Sequence, residues 1–201
     1  MQKKSVDFLN HLTNKIGDTF SGLSGTSINI GCGLDIKRYW INCDLEPKDD
    51  SVKRLDITKL SDLDWLAKQD AILINSDHVI GYLTIAQAEN FFKACFNGLK
   101  VGGKLTLEFP DLKKIMCQLE GINYKSENSE ENYIEIIRAI YAYDSSDARS
   151  LAFSKRTYIT GWTVDFLYRK LSEAGFSEIK TYAPVTHNCR TDRDSRVEAI
   201  K

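Results

Sequence analysis

Hydrophobic and polar positions in the first half of the chain follow two periods, one typical of buried strands and one typical of helices. Short apolar runs at 27–30 and 71–75 fit parallel strands that are buried on both faces. Residues 84–99 place apolar side chains three and four positions apart, which predicts a helix. A glycine turn at 102–103 and an alternating run at 104–109 predict the next strand. This alternation indicates an α/β fold with a mostly parallel sheet.

The second half of the chain carries less regular patterns. They predict three further helices and two closing strands, at 112–119, 133–141, 163–174, 178–183 and 196–200. A polar run at 125–132 predicts a surface loop. Near the start, an apolar face within residues 1–25 predicts an N-terminal helix. Because no linker or repeat interrupts these patterns, we expect a single domain over residues 1–201.

Charge and hydropathy narrow the class of function. The 201 residues include 27 Lys and Arg and 28 Asp and Glu, which gives a net charge of −1. Proteins dedicated to long nucleic acids usually carry a basic surface, so this balance argues against such a partner. No run approaches the roughly 18–20 apolar residues of a membrane span, and no secretory leader is visible. We therefore expect a cytoplasmic protein without a membrane partner.

Five cysteines are spread along the sequence, at positions 32, 43, 95, 117 and 189. Their number is odd, and neither their spacing nor that of the histidines matches a zinc motif. We therefore expect reduced thiols, no disulfide framework and no metal site.

The first motif with chemical meaning is the turn of Gly31, Cys32 and Gly33, directly after the predicted strand at 27–30. Open parallel sheets bind ligands at the carboxyl ends of their strands, and glycines there let the backbone approach a ligand closely. A tight turn without a ligand is the alternative, and for this motif alone it is preferred. A nicotinamide-dinucleotide fingerprint is disfavoured, because Ile36 stands where its third glycine would fall.

The second motif is Asp44, which directly follows an apolar run at 40–43. A carboxylate at a strand tip beside the glycine turn can accept hydrogen bonds from both hydroxyls of a ribose. A solvated aspartate is the alternative. Only residues 34–39 separate the turn from this run, whereas a parallel crossover usually takes a dozen residues or more. A fully extended connection still reaches, at about 3.3–3.6 Å per residue.

Two further groups of polar residues follow predicted strands. Asp56 can accept a hydrogen bond from an exocyclic amine, and Ile57 can flank an aromatic ring, although an ordinary loop or helix-capping aspartate is an equal alternative. The run 75–78 (Asn-Ser-Asp-His) ends the fourth predicted strand, where substrate-facing groups belong in such a sheet. His78 can act as a general base near neutral pH, and a histidine bonded to a backbone carbonyl is at least an equal alternative.

In their order and spacing these segments resemble the class I S-adenosylmethionine-dependent methyltransferases. Within that class they are similar to small-molecule enzymes with a shortened first crossover, often encoded among sugar and polysaccharide genes. The matching segments are INIGCG (28–33), YWINCDLEP (39–47), LDI (55–57), DAILINSDHVIGYL (70–83), LKVGGKLTLEFPDL (99–112), GWTVDFLYRKLSEAGF (161–176) and RVEAIK (196–201). They cover almost the whole chain beyond residue 26.

The resemblance implies a doubly wound, Rossmann-like sheet of seven strands, mostly parallel, with the last strand antiparallel. It implies S-adenosylmethionine as the cofactor. The contacts that it implies are to the methionine part from Gly31, Cys32 and Gly33, to the ribose from Asp44, to the adenine from Leu45, Asp56 and Ile57, and to the sulfonium from Ser76.

One segment departs from the family pattern. Relatives commonly carry a His-Val-Leu-Glu-His run after the fourth strand, where this chain has His78-Val79-Ile80-Gly81-Tyr82. The first histidine is kept, whereas the glutamate and the second histidine are replaced by Gly81 and Tyr82. An acid or base role shared by that pair is therefore not implied for this chain, and an altered or lost activity is an open alternative.

The activity implied is methyl transfer to a small-molecule acceptor, a sugar or nucleotide-sugar hydroxyl being one candidate, with His78 as the base. Asp111 is a second candidate base, although a helix cap is preferred for it. Residues 112–176 would cover the acceptor with the aromatic side chains of Tyr133, Tyr141, Tyr143, Tyr158 and Trp162, although core packing is preferred for the first two. Two other classes stay open: a non-catalytic cofactor-binding partner subunit, and a protein or nucleic-acid methyltransferase.

Overall fold

The computed structural model describes residues 24–122, 129–141, 157–186 and 189–201. The apolar face of the predicted N-terminal helix, and Tyr143, lie outside the described residues.

Seven strands form one sheet. They are β1 Ser27–Ile30, β2 Ile41–Asp44, β3 Lys53–Arg54, β4 Ala71–Asp77, β5 Leu99–Pro110, β6 Ser177–Tyr182 and β7 Asp194–Ile200. Their order across the sheet is β3-β2-β1-β4-β5-β7-β6. Neighbours from β3 to β5 run parallel, and β7 runs antiparallel to both β5 and β6. The predicted fold class, a mostly parallel sheet of seven strands with an antiparallel last strand, is confirmed.

Helices flank the sheet in the described part of the chain. They are α1 Leu60–Leu66, a 3₁₀ turn Ile80–Tyr82, α2 Ile85–Gly98, α3 Leu112–Glu120, α4 Ser129–Tyr141 and α5 Val164–Glu173. Thr84 begins α2 with a reciprocal cap, in which its side chain and that of Gln87 each accept from the other's backbone amide. Thr163 begins α5, as predicted, and its hydroxyl accepts from the amide of Phe166 at 3.3 Å.

Two predicted boundaries are wrong. β5 begins at Leu99 and runs through the glycines at 102–103, where a turn was expected. The ladder to β4 shifts register there and Gly102 has a φ of +77°, so the extra residues form a bulge and the strand continues. The polar run at 125–132 was expected to be a loop, but its last residues lie in α4, which begins at Ser129.

The core lies on both faces of the central strands, as their continuous apolar runs predict. Ile28, Ile74 and Leu105 are wholly inaccessible, one on each of β1, β4 and β5. Trp162 belongs to this core, since its ring contacts Phe92 and Phe166 at centroid distances of 5.8 and 5.3 Å. Trp162 is therefore a packing residue of the main core.

A row of asparagines crosses the sheet and explains how β1 and β2 can be parallel with so short a connection. Asn42, Asn29 and Asn75 are register partners on β2, β1 and β4, joined side chain to side chain at 3.3 and 3.1 Å. Asn29 also donates to the carbonyl of Asp35, and Asn42 exchanges two hydrogen bonds with the Lys37 backbone. These side chains satisfy backbone groups that a helix would otherwise satisfy, so the connection forms without one.

Candidate active site

A cleft of about 1060 Å³ opens at the carboxyl ends of β1, β2 and β4. Its walls come from the turn after β1, the ends of β2 and β3, the segment after β4, and Tyr158. Open parallel sheets bind ligands at this edge, and the volume suits a ligand of nucleotide size.

The turn after β1 forms the floor of the cleft. Gly31 and Gly33 have φ values of +69° and +52°, which favour glycine. A Cβ on Gly31 would stand 2.2 Å from Cγ2 of Val79, so this position also needs glycine for space. The amides of Gly31 and Cys32 both donate to the Cys43 carbonyl, at 2.8 and 3.0 Å, and thereby tie the turn to the end of β2. Burial raises the pKa of Cys32 to about 11, so its thiol is neutral.

Asp44 meets this turn directly. Its Oδ2 accepts from the Gly33 amide at 2.9 Å, and its Oδ1 accepts from the Glu46 amide at 2.9 Å. A carboxylate has about four acceptor positions, so each oxygen keeps capacity for a ligand hydroxyl. Leu45, 38% exposed, continues the same wall. The structure therefore brings the glycine turn and this carboxylate together, as the ribose assignment requires.

Asp56 and Ile57 line the cleft beyond the end of β3. Oδ1 of Asp56 accepts from the hydroxyl and the amide of Thr58, at 2.6 and 3.1 Å. Burial raises the pKa of Asp56, but the Thr58 hydrogen bonds and Lys59 outweigh burial and hold it below its usual range. Ile57 is buried with one edge on the cleft. Asp56 therefore holds the local loop through Thr58, which is the alternative that the sequence left open. It also lines the cleft.

Ser76 stands apart from the other predicted cofactor residues. It is 1% exposed, does not line the cleft, and its hydroxyl has no hydrogen-bond partner within the described residues. The cleft wall at this point consists instead of Asp77 and His78, the next two residues.

His78 has an unusual backbone and is held on both sides of its ring. Its φ is +58°, a left-handed conformation that is costly for a residue other than glycine and tends to occur at functional sites. Nδ1 lies 3.3 Å from the Tyr158 hydroxyl, and Nε2 lies 3.1 Å from Sγ of Cys189. Burial, together with Arg193, lowers the pKa of His78 despite the nearby carboxylates, so the ring is neutral at pH 7.

Two carboxylates lie beside His78: that of Asp77, which belongs to the predicted substrate-facing run 75–78, and that of Glu108, which was not singled out from the sequence. Oδ2 of Asp77 accepts from Asn75 at 2.9 Å and from the Thr186 hydroxyl at 3.1 Å. Burial, with Glu108 nearby, raises the pKa of Asp77. Glu108 is inaccessible and pairs with Arg196 at 2.8 Å. Asp77 lies inside a segment that matches the family. Glu108 lies in a strand of alternating polar and apolar residues, and this alternation does not distinguish Glu108 from the other polar positions.

Tyr158 explains the departure at positions 81 and 82. A Cβ on Gly81 would lie 2.6 Å from Cδ1 of Tyr158, so the Tyr158 ring occupies the space of a side chain at 81. The Tyr82 ring packs against the Tyr158 ring, with centroids 4.6 Å apart. The amide of Ile159 donates to the Gly81 carbonyl at 2.8 Å and fixes the segment. A glutamate at 81 has no room here.

The remaining predicted residues divide between structural roles and the cleft surroundings. Asp111 caps α3 by accepting from the Lys113 amide at 3.0 Å and also accepts from Ser195 at 2.8 Å, which confirms the preferred interpretation as a cap. Tyr133 and Tyr141 are 42% and 50% exposed on α4, so core packing, preferred for them, is wrong. Tyr141 instead borders a smaller, largely apolar cavity of about 170 Å³ that reaches Tyr158.

No family model and no curated protein matches the sequence. Solved structures match it over most of its length. A SAM-dependent methyltransferase from Archaeoglobus fulgidus is 12% identical with a TM-score of 0.57, over 97% of this chain and 94% of that chain. A second such enzyme, from Mesorhizobium loti, is 14% identical with a TM-score of 0.52, over 89% and 91%. A protein from Pyrococcus horikoshii is 13% identical with a TM-score of 0.55, over 99% and 92%. The chain has the Rossmann-like fold of these methyltransferases.

Within the described ranges, no helix is both long and apolar enough to cross a membrane.

Proposed function

We propose that the chain binds S-adenosylmethionine in the cleft and transfers its methyl group to a small-molecule acceptor. The observation that carries this proposal is the contact between Asp44 and the Gly33 amide at the carboxyl ends of β1 and β2. A backbone turn and an ionised acceptor lie next to each other here. Together they suit a nucleoside with a charged tail. The fold, which is that of methyltransferases, supports the same reading.

The cofactor residues follow from the walls of the cleft. The turn of Gly31, Cys32 and Gly33 faces the methionine part, and Asp44 accepts from the ribose hydroxyls. Leu45 and Ile57 lie against the adenine, and Asp56 accepts from its amine. Ser76 lies next to this wall but does not touch the ligand, because its side chain is buried.

When bound, S-adenosylmethionine supplies a methyl group on a positively charged sulfur, a good leaving group. The work left to the chain is to bind, to align the acceptor and to exclude water. A hydroxyl acceptor also needs a base. The neutral imidazole of His78 lines the cleft after the end of β4, so it is our candidate. We assign its Nδ1 as the atom that takes the acceptor proton, the acceptor replacing the hydroxyl of Tyr158 there.

Calorimetry with S-adenosylhomocysteine tests the cofactor site. Asp44→Asn removes the ionised acceptor, and since a charge-assisted hydrogen bond is worth about 1.5–3 kcal/mol, we expect affinity to fall about 10–100-fold. Asp49→Asn is the matched control, because Asp49 is an exposed aspartate in a similar local turn and lies outside the cleft. Equal affinities of the two variants, both folded, would remove the basis of the nucleoside assignment.

A second experiment addresses the base. A panel of radiolabelled transfer reactions to sugars, nucleotide sugars and other small hydroxyl compounds identifies an acceptor, after which His78→Ala is compared with the unchanged chain. We expect turnover to fall about 10²–10⁴-fold, the usual contribution of a general base, with S-adenosylhomocysteine affinity nearly unchanged. Loss of affinity equal to the loss of turnover would contradict the assignment of His78 as a base.

A non-catalytic cofactor-binding subunit is the second candidate function. The observation that favours it is that both ring nitrogens of His78 already have neighbours, Tyr158 and Cys189, while Gly81 replaces the glutamate of the family pattern. Cofactor binding without transfer to any member of the panel supports this alternative. A protein or nucleic-acid acceptor is distinguished by salt, since binding to nucleic acid weakens steeply as salt rises and binding of a small neutral acceptor does not.

A further inference from the structure

Three side chains with metal-binding atoms converge beside the cleft. They are His78 after β4, Cys189 in the last loop, and Asp194 at the start of β7, and one ligand atom from each lies within 4.8 Å of the other two. Nε2 of His78 and Sγ of Cys189 are 3.1 Å apart. In a tetrahedral zinc site, with Zn–N about 2.0 Å and Zn–S about 2.3 Å, such a pair stands roughly 3.5 Å apart. A movement of a few tenths of an ångström therefore brings this pair to the spacing of two zinc ligands.

Two of the three side chains are also oriented by a neighbour, as ligands in metal sites usually are. The other ring nitrogen of His78 faces the Tyr158 hydroxyl at 3.3 Å. Asp194 is held by Arg193, whose Nε and Nη2 donate at 2.9 and 2.7 Å. These partners fix the ring plane and the carboxylate plane before an ion arrives.

Backbone strain points to the same place. The left-handed φ of His78 costs of the order of 1–3 kcal/mol and is held by a hydrogen bond from its amide to the Glu108 carbonyl at 2.7 Å. This conformation directs the ring away from the sheet, toward the loop that carries Cys189. A histidine with only a packing role has no need of it.

We infer that His78, Cys189 and Asp194 form a binding site for one zinc-type divalent cation. An imidazole, a thiolate and a carboxylate with a fourth position open is a ligand set that Zn²⁺ accepts. Binding releases the thiol proton of Cys189 to solvent and fills the lone pair on Nε2 of His78. The proton on a metal-bound imidazole then sits on Nδ1, directed at Tyr158, so neither nitrogen can take a proton from an acceptor. The cation site does not depend on the proposed function, whereas its consequence, inhibition of methyl transfer, rests on it.

Titration of the metal-free protein with Co²⁺ tests the site without any acceptor or cofactor. We expect one equivalent to bind with an intense sulfur-to-cobalt charge-transfer absorption, and Zn²⁺ to displace it. Cys189→Ser should abolish the absorption and weaken binding about 100-fold, whereas Cys117→Ser, which removes an exposed thiol elsewhere, should change neither. Tyr158→Phe should keep the absorption and weaken binding about 10-fold, the usual effect of losing an orienting partner.

Three outcomes would overturn the inference: no charge-transfer absorption in the unchanged chain, an absorption that survives in Cys189→Ser, or one that disappears in Cys117→Ser. If Cys189→Ser does not give a cooperative thermal transition, His78→Gln serves as the ligand variant with the same expected loss of affinity. S-adenosylhomocysteine calorimetry in chelator is run in parallel. Cobalt binding without cofactor binding counts against the proposed function alone, and cofactor binding without cobalt binding counts against the cation site alone.

Discussion

The buried pair of Glu108 and Arg196 makes the stability of this protein depend on pH in a way that one substitution isolates. Besides Arg196, the Glu108 carboxylate accepts from the amides of Val185 and Thr186, at 2.9 and 3.1 Å. Burial raises the pKa of Glu108, but hydrogen bonds from Cys189, Thr186, Val185 and Arg196 outweigh burial and hold the pKa at about 2. Since the folded pKa is depressed, the ionised carboxylate stabilises the folded chain.

The magnitude follows from the difference between the folded and unfolded pKa values. An unfolded glutamate titrates near about 4.3, so the shift of roughly 2.3 units corresponds to about 3 kcal/mol. This stabilisation is fully present above the unfolded pKa and is lost as the pH falls from about 4.3 through about 2. By the same relation, about half of it remains at pH 3.

Urea unfolding of Glu108→Gln and of the unchanged chain, in chelator at pH 7 and pH 3, measures this directly. We expect the free energy of unfolding to differ by at least about 3 kcal/mol at pH 7, because Arg196 also loses its buried partner. At pH 3 the difference should shrink by about 1.5 kcal/mol. Glu178→Gln is the control: Glu178 faces Lys180 at 3.5 Å on the surface, and such pairs contribute little at either pH. A difference for Glu108→Gln that is the same at both pH values would refute the reasoning.

Two further predictions concern stability at pH 7, measured by urea unfolding. Gly98→Ala places a Cβ 2.2 Å from the Leu66 carbonyl oxygen, where α1 and α2 approach each other, so we expect a loss of about 1–3 kcal/mol; Gly121→Ala, whose Cβ meets nothing closer than 3.5 Å, is the control, and equal losses would contradict the close approach. Asp111→Ala removes the cap of α3 and the bond to Ser195, so we expect a loss of about 1–2 kcal/mol, most of which Asp111→Asn should restore. Equal losses for the alanine and asparagine variants would show that the cap contributes nothing.

The strands of the sheet were predictable because burial on both faces leaves a continuous apolar signature. The first strand was located at its observed bounds, and the fourth was located at its apolar part. β4 nevertheless continues beyond the predicted run through Ser76 and Asp77, because β1 still supplies a ladder partner for Ser76 and β5 supplies partners for both. Polar side chains at a strand end are compatible with pairing when neighbours on both sides satisfy the backbone, and a pattern of hydropathy does not carry that information.

The approach of the glycine turn to Asp44 was predictable for a related reason. Parallel strands that are adjacent in the sheet end at the same edge, so a turn after β1 and a carboxylate after β2 must approach each other once the order of strands is known. The surroundings of His78 had no such local signal. Its ring meets Tyr158 and Cys189, which lie 80 and 111 positions away in the sequence, and their meeting depends on how the last loop returns over β5.

The altered segment at 78–82 is best understood together with Tyr158. Because a Cβ at Gly81 would lie within 3.1 Å of three atoms of the Tyr158 ring, the glycine and the tyrosine require each other. Tyr158 places an uncharged hydroxyl 3.3 Å from Nδ1 of His78, whereas a glutamate at 81 would have added a further carboxylate to those of Asp77 and Glu108 beside this histidine. The replacement therefore keeps a further negative charge away from His78, the one histidine of this segment. We assign the methyl acceptor to Nδ1 of His78 and the cation to Nε2. Variants of Tyr158 change the neighbour of Nδ1, and variants of Cys189 change the neighbour of Nε2, so the two nitrogens are tested separately.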